Sequence, residues 1–236
     1  MRILVSAVAA AAALVAFGVF GERLPAFAPR PNIVMSAAIC LTLVAWLVAA
    51  LLPLRRLGHR VLLVAVAGLG LGVLLTWAGL LPLANVAKVA GAAVLGLWIA
   101  QNLERVSWVV LVAAVSAVVD VLSVYGGPTR ELLDEGPRVV GYFTVTLTWT
   151  GHAATEGYTA FGISDVVFFS LYLAAARRFG LRPLASGVAM VASFVATIVA
   201  ALWWDALPAL PLLSVAFLAT NADRLWRLRG AGPTAA

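Results

Sequence analysis

Three short stretches carry groups that do not match their surroundings. Asp165 is set into the apolar run Phe161-Gly162-Ile163-Ser164-Asp165-Val166-Val167-Phe168-Phe169-Ser170-Leu171, Asp120 stands alone in Val109 to Val124, and Leu207-Pro208-Ala209-Leu210-Pro211 opens a further apolar run. An ionised side chain in a membrane-spanning segment costs about 2.5 kcal/mol or more on insertion scales, so its presence there asks for a task. Two carboxylates held close together cannot both ionise cheaply, and they share one proton over a wide pH range. The charged member can polarise a water against a peptide carbonyl while the protonated member hydrogen-bonds the carbonyl oxygen. Base and acid are then roles of the pair and not of either residue. This chemistry needs neither metal nor covalent intermediate. The sequence has no His-Glu-x-x-His and gives His59 and His152 no spaced partner, so no cofactor is expected.

The elements that must position these groups read as membrane helices. With 64% hydrophobic and 11% charged residues and a mean hydropathy of +1.05, the chain lies far from a soluble domain, where about 25% of residues are charged. Helix-length apolar runs cover 3–20, 33–54, 61–81, 84–100, 106–125, 161–176, 184–204 and 208–225. The expected fold is all-α, a polytopic transmembrane helix bundle of about eight spans. It forms a single domain over 1–229, with scaffold helices within 3–101, catalytic helices at 105–126, 161–176 and 208–226, and a disordered tail at 230–236. Gly68, Gly70, Gly72 and Gly79 offer close helix contact. Lys88, near one end of its run, is expected to snorkel. Cys40 reads as a small buried helix residue. The basic start, apolar run and Ala26-Phe27-Ala28 have the outline of a cleaved signal peptide, but the run is long for one and reads as a retained helix.

The formal charge of +6 does not point to nucleic acid, because the arginines fall in short loops and act as topology signals. Alternating sides places eleven basic residues (Arg2, Arg55, Arg56, Arg60, Arg105, Arg177, Arg178, Arg182, Arg224, Arg227 and Arg229) against five (Arg23, Arg30, Lys88, Arg130 and Arg138). Both termini are therefore expected in the cytoplasm and the 126–160 connection outside. Asp120 and Asp165 then lie about 6 to 9 Å below the same outer face, by the rise of a helix. Pro208 to Pro211 falls at that face too.

Within the connection, Gly126 to Pro137 reads as turn, short amphipathic helix and turn, with Thr129 as N-cap. Val139 to Thr150 is rich in β-branched and aromatic residues and reads as a strand or ordered loop. A substrate helix must be locally unwound before its peptide bonds can be attacked. Pro208 and Pro211 remove backbone donors and free polar backbone near the site, and the 139–150 stretch is expected to lie as a strand beside the unwound substrate.

These residues resemble a family, the presenilin and signal peptide peptidase group of intramembrane aspartyl proteases. The group carries Tyr-Asp, Gly-x-Gly-Asp and Pro-Ala-Leu on successive catalytic helices. Here the counterparts are Val119-Asp120, Gly162-Ile163-Ser164-Asp165 and Pro208-Ala209-Leu210, and Gly127-Pro128 resembles the exit of the first of those helices. The likeness covers about Ala84 to Arg227. It implies Asp120 and Asp165 as catalytic residues, with Gly162, Ile163, Ser164, Pro208, Ala209 and Leu210 as substrate-binding and supporting residues. Substrates would be transmembrane or signal-peptide helices. Val119 and Ser164 depart from the family pattern, and eight spans replace the usual nine. The outside placement of the Asp-to-Asp loop is similar to signal peptide peptidase and opposite to presenilin, implying type II substrates.

Two other readings use the same residues. A proton- or cation-coupled transporter predicts ion flux lost on Asp→Asn, and an inactive scaffold of protease descent predicts substrate binding unchanged by Asp120→Asn. Asp205 and Asp223 read as solvated helix-end groups, His152 and Glu156 as surface residues, and Tyr142 and Trp149 as interfacial anchors. The partners expected are the lipid bilayer and helical peptides, and the composition fits a prokaryotic plasma membrane.

Overall fold

The computed structural model describes residues 2–25, 28–127, 137–146, 148–151, 160–204 and 207–229. The helices are α1 (Arg2–Phe20), α2 (Pro29–Leu51), α3 (Arg60–Trp77), α4 (Leu81–Gln101), α5 (Val106–Gly126), the short α6 (Pro137–Phe143), α7 (Ile163–Arg178), α8 (Pro183–Ala201) and α9 (Leu210–Arg229). Strand β1 (Thr144–Thr146) follows α6 directly, and β2 (Ala160–Gly162) leads into α7. The two strands pair antiparallel, Thr144 opposite Gly162 and Val145 opposite Phe161. The expected strand over 139–150 is thus helix up to Phe143 and strand only from Thr144. Gly126 to Pro137 and Thr129, His152, Glu156, Asp205 and the tail lie wholly or largely outside the described residues.

Among the described residues, six helices are long and apolar enough to cross a membrane: those containing Leu4–Arg23, Arg30–Leu54, Arg60–Trp77, Leu81–Gln101, Val106–Gly126 and Pro183–Ala201. Large apolar side chains such as Leu63, Leu74, Trp77, Val118 and Leu122 are exposed on the outer surface, as lipid solvation allows. The two remaining long helices differ in kind. α9 carries Asn221, Asp223, Arg224 and Arg227 in its second half. α7 has 16 residues, about 24 Å by helical rise, against a hydrocarbon core of about 30 Å.

α7 is wrapped by protein. Eleven of its residues are buried, and α4 lies along it so closely that a Cβ at Gly96 would stand 2.1 Å from the Val167 carbonyl oxygen. Ser170 donates to the Ala93 carbonyl at 2.6 Å, and Arg178 donates to Ala100 at 2.9 Å. α3 backs α4 through facing glycines, since a Cβ at Gly91 would lie 2.6 Å from the Leu69 nitrogen. Gly68 and Gly72 serve the contact expected of them. Gly70 and Gly79 have open space around them, and Gly79 instead supplies the positive φ of 76° that ends the turn after α3. Cys40 is buried in α2, as expected.

Candidate active site

Asp165 is the third residue of α7, and local chemistry fixes it there. Gly162 is the extended N-cap, and its N–H donates to Asp165 Oδ2 at 2.9 Å. An acid in this position satisfies an orphan donor and suits the positive end of the helix, whatever its other duties. Burial sets Asp165 apart from an ordinary capping acid, for the residue is 7% exposed. A side chain at Gly162 would stand 3.0 Å from Ser164 Oγ and 3.3 Å from Asp165 Oδ2, so the glycine keeps the carboxylate in place. Ser164 is exposed and Ile163 half-buried.

Asp120 is half-buried on α5, and α9 begins against it. Its Oδ2 accepts the Leu210 N–H at 3.0 Å, and the Ala209 backbone hydrogen-bonds it as well. Pro211 sits in the first turn of α9, where its missing N–H costs nothing. The free amides of the Ala209-Leu210 start therefore point at a carboxylate, the arrangement by which helix N-termini hold anions. Val119, the neighbour that departs from the family pattern, is exposed on the outside.

Asp120 and Asp165 are close enough to interact electrostatically. All three stretches singled out in the sequence are thereby brought together. Asp165 is hydrogen-bonded to the Gly162 amide and Asp120 to the start of α9, and the two acids act on each other through space. Two acids placed so influence each other's ionisation.

Sequence reasoning missed what lies beneath the pair. Tyr172 is fully buried, and its hydroxyl lies 3.0 Å from Ser116 Oγ of α5 and 3.1 Å from Ser214 Oγ of α9. Its ring stacks on Phe217 at 4.9 Å. Helical spacing from Asp120, Asp165 and Leu210 was the available signal, since positions 116, 172 and 214 fall on the same faces.

It also missed how the strand pair is held. Lys88 does not snorkel: it is 1% exposed, and its Nζ donates to the carbonyls of Gly141 at 2.9 Å and Thr144 at 2.6 Å. The helix ending at Phe143 presents carbonyls that an ammonium satisfies better than lipid would. Asn85, one turn away, donates to the Thr146 carbonyl at 3.0 Å and accepts its N–H at 3.3 Å. Thr150 is gripped by α2, its carbonyl accepting from Asn32 at 2.6 Å and its N–H donating to Ser36 at 3.0 Å. Its hydroxyl also bonds the Asn32 side chain. At the opposite end, Asp223 pairs with Arg182 at 2.7 Å and is partly exposed, in keeping with a solvated helix end.

These clamps revise the expected role of the 139–150 stretch. Thr144 and Thr146 turn backbone groups toward α4, so by strand alternation the ladder bonds to β2 fall at Val145 and Phe161. Groups of Ala160 and Gly162 then face away from β1. Among the described residues, the edge not taken up by α4 is that of β2, where the Gly162 N–H already donates to Asp165. Comparison with protein-family models, curated proteins and solved structures finds no match. The fold defines a helical bundle with several helices fit for a bilayer, and α7 carries a buried acid within electrostatic reach of a second one on α5.

Proposed function

We propose that this protein is an intramembrane aspartyl protease that hydrolyses peptide bonds of transmembrane or signal-peptide helices. The observation that carries the reading is that Asp120 and Asp165, from different helices, stand within electrostatic reach of each other, with the amide-rich start of α9 bound to Asp120. Buried paired carboxylates of this kind activate water by sharing a proton. The unwound substrate adds as a strand to the outward edge of Ala160–Gly162, three to five residues before Asp165, which brings its carbonyls toward the pair. Gly162, Ile163 and Ser164 line that approach, and the start of α9 that follows Pro208 holds Asp120 through the Ala209 and Leu210 backbone. Eight spans, cytoplasmic termini and a prokaryotic plasma membrane complete the reading, and substrates enter in the type II orientation.

The test is reconstitution of the purified protein in lipid with a labelled transmembrane peptide. Cleavage is expected, blocked by an aspartyl transition-state isostere and abolished by Asp120→Asn and by Asp165→Asn. Cation flux without cleavage would move the assignment to a transporter. Peptide binding without cleavage, unchanged in Asp120→Asn, would make the protein a scaffold.

A further inference from the structure

We propose that Tyr172 is a positioning residue for the Asp120/Asp165 pair, its hydroxyl setting how closely the two carboxylates stand by pinning together the three helices that carry the site. The inference rests on the protease reading for its kinetic test and is independent of it for its spectroscopic one.

Geometry carries the argument. Ser116 precedes Asp120 by one turn of α5, and Ser214 follows Leu210 by one turn of α9, so each lies about 6 Å along its helix from the site. Tyr172 lies two turns beyond Asp165, and a helical side chain leans back toward the N-terminus of its helix. Its hydroxyl therefore meets both serines on the inner side of the acids. Each of the three hydroxyls can donate or accept in these bonds, and Ser116 Oγ also reaches the Ala113 carbonyl at 3.3 Å.

Each pinned helix supplies one part of the site: Asp120 from α5, Asp165 from α7, and the Leu210 amide from α9. A hydroxyl bond between membrane helices adds little to stability. A single atom joining the three helices just below a proton-sharing pair fixes their separation, on which that sharing depends.

The charged group acting on Asp165 is Asp120. Other titratable or charged side chains on the surrounding elements are Tyr172 itself, Tyr125 at the exposed end of α5, Cys40 of α2, Arg30 at the start of α2, which lies over the Trp203 ring, Lys88 of α4, which is committed to Gly141 and Thr144, and Asp223 of α9, which pairs with Arg182. The arginines of α7 and α9 stand at the far helix ends.

Tyr172→Phe removes the hydroxyl and keeps the ring on Phe217. In lipid nanodiscs, the carboxylic C=O stretch is followed by infrared spectroscopy as pH is stepped, with Asp120→Asn and Asp165→Asn assigning the bands. Wild type should show two well-separated protonation steps, and Tyr172→Phe should bring them together by about one pH unit or more, because a looser pair repels less. With a cleavable peptide, kcat should fall about tenfold while KM stays within about twofold, the pattern of a misaligned reacting pair.

Ser186→Ala is the control, since it deletes the buried bond from Asn221 Nδ2 to Ser186 Oγ, 2.7 Å long, between α8 and α9. It should lower Tm and leave both steps in place. Wild-type steps in Tyr172→Phe, or equal movement in Ser186→Ala, overturn the inference. Failure of wild type to cleave any peptide would instead sink the protease reading, and the infrared comparison would still decide about Tyr172.

Discussion

The Leu210 amide stands 3.0 Å from Asp120 Oδ2 across 90 residues of chain. The bond gives Asp120 a structural duty beside its proposed chemical one, because it satisfies a donor at the start of α9. Asp120→Ala leaves that amide and the Ala209 amide without their acceptor, and should cost about 1–3 kcal/mol of stability. Asp120→Asn keeps an acceptor oxygen and should stay close to wild type in thermal unfolding while losing cleavage. Equal loss of stability in both variants would argue that the carboxylate charge itself holds α9.

Lys88 is expected to matter through the strand it grips. Lys88→Met removes the donors that satisfy Gly141 and Thr144, at a cost of about 1–3 kcal/mol for buried carbonyls left unpaired. Hydrogen exchange at residues 144–146 should quicken, and turnover should drop with it because Thr144 pairs with Gly162. Unchanged exchange would mean that Asn85 alone holds β1.

Gly96 and Gly70 make a matched pair of tests. Gly96→Ala would drive a methyl to 2.1 Å from the Val167 carbonyl, so α4 and α7 must part. Overpacking of this sort costs about 1–3 kcal/mol, and because α7 carries Asp165 the activity should fall too. Gly70→Ala meets open space and should leave Tm unchanged or slightly raised, as helix propensity favours alanine by about 1 kcal/mol or less.

Thr150→Val keeps the shape of the side chain and removes its hydroxyl. The Asn32 and Ser36 side chains lose one contact each, and stability should fall by about 1–3 kcal/mol through their unsatisfied polar atoms. Equilibrium unfolding in detergent checks this. A neutral result would indicate that water takes the vacated place.

Much of the bundle was legible because apolar runs of helix length leave the backbone little choice in lipid. The acids stood out for the same reason, as Asp120 and Asp165 are costly where they are. Lys88 was misread because sequence position near a helix end suggests solvent, whereas its ammonium turns inward to carbonyls that belong to a segment 53 residues away. The 139–150 stretch was half misread for a related reason: β-branched residues favour strand, but Pro137 starts a turn of helix that propensity alone does not reveal.

By itself the sequence determined helix positions, the apolar outer surface and the three stretches with chemistry, since each follows from local composition and from the cost of placing charge in lipid. Only the tertiary structure decided that Asp120 meets the start of α9, that α4 takes up the outer edge of β1, and that one tyrosine hydroxyl joins three helices. Those outcomes depend on which helix faces turn toward one another, and facing is set by close contacts such as Gly96 on Val167 and by polar groups seeking partners across the chain.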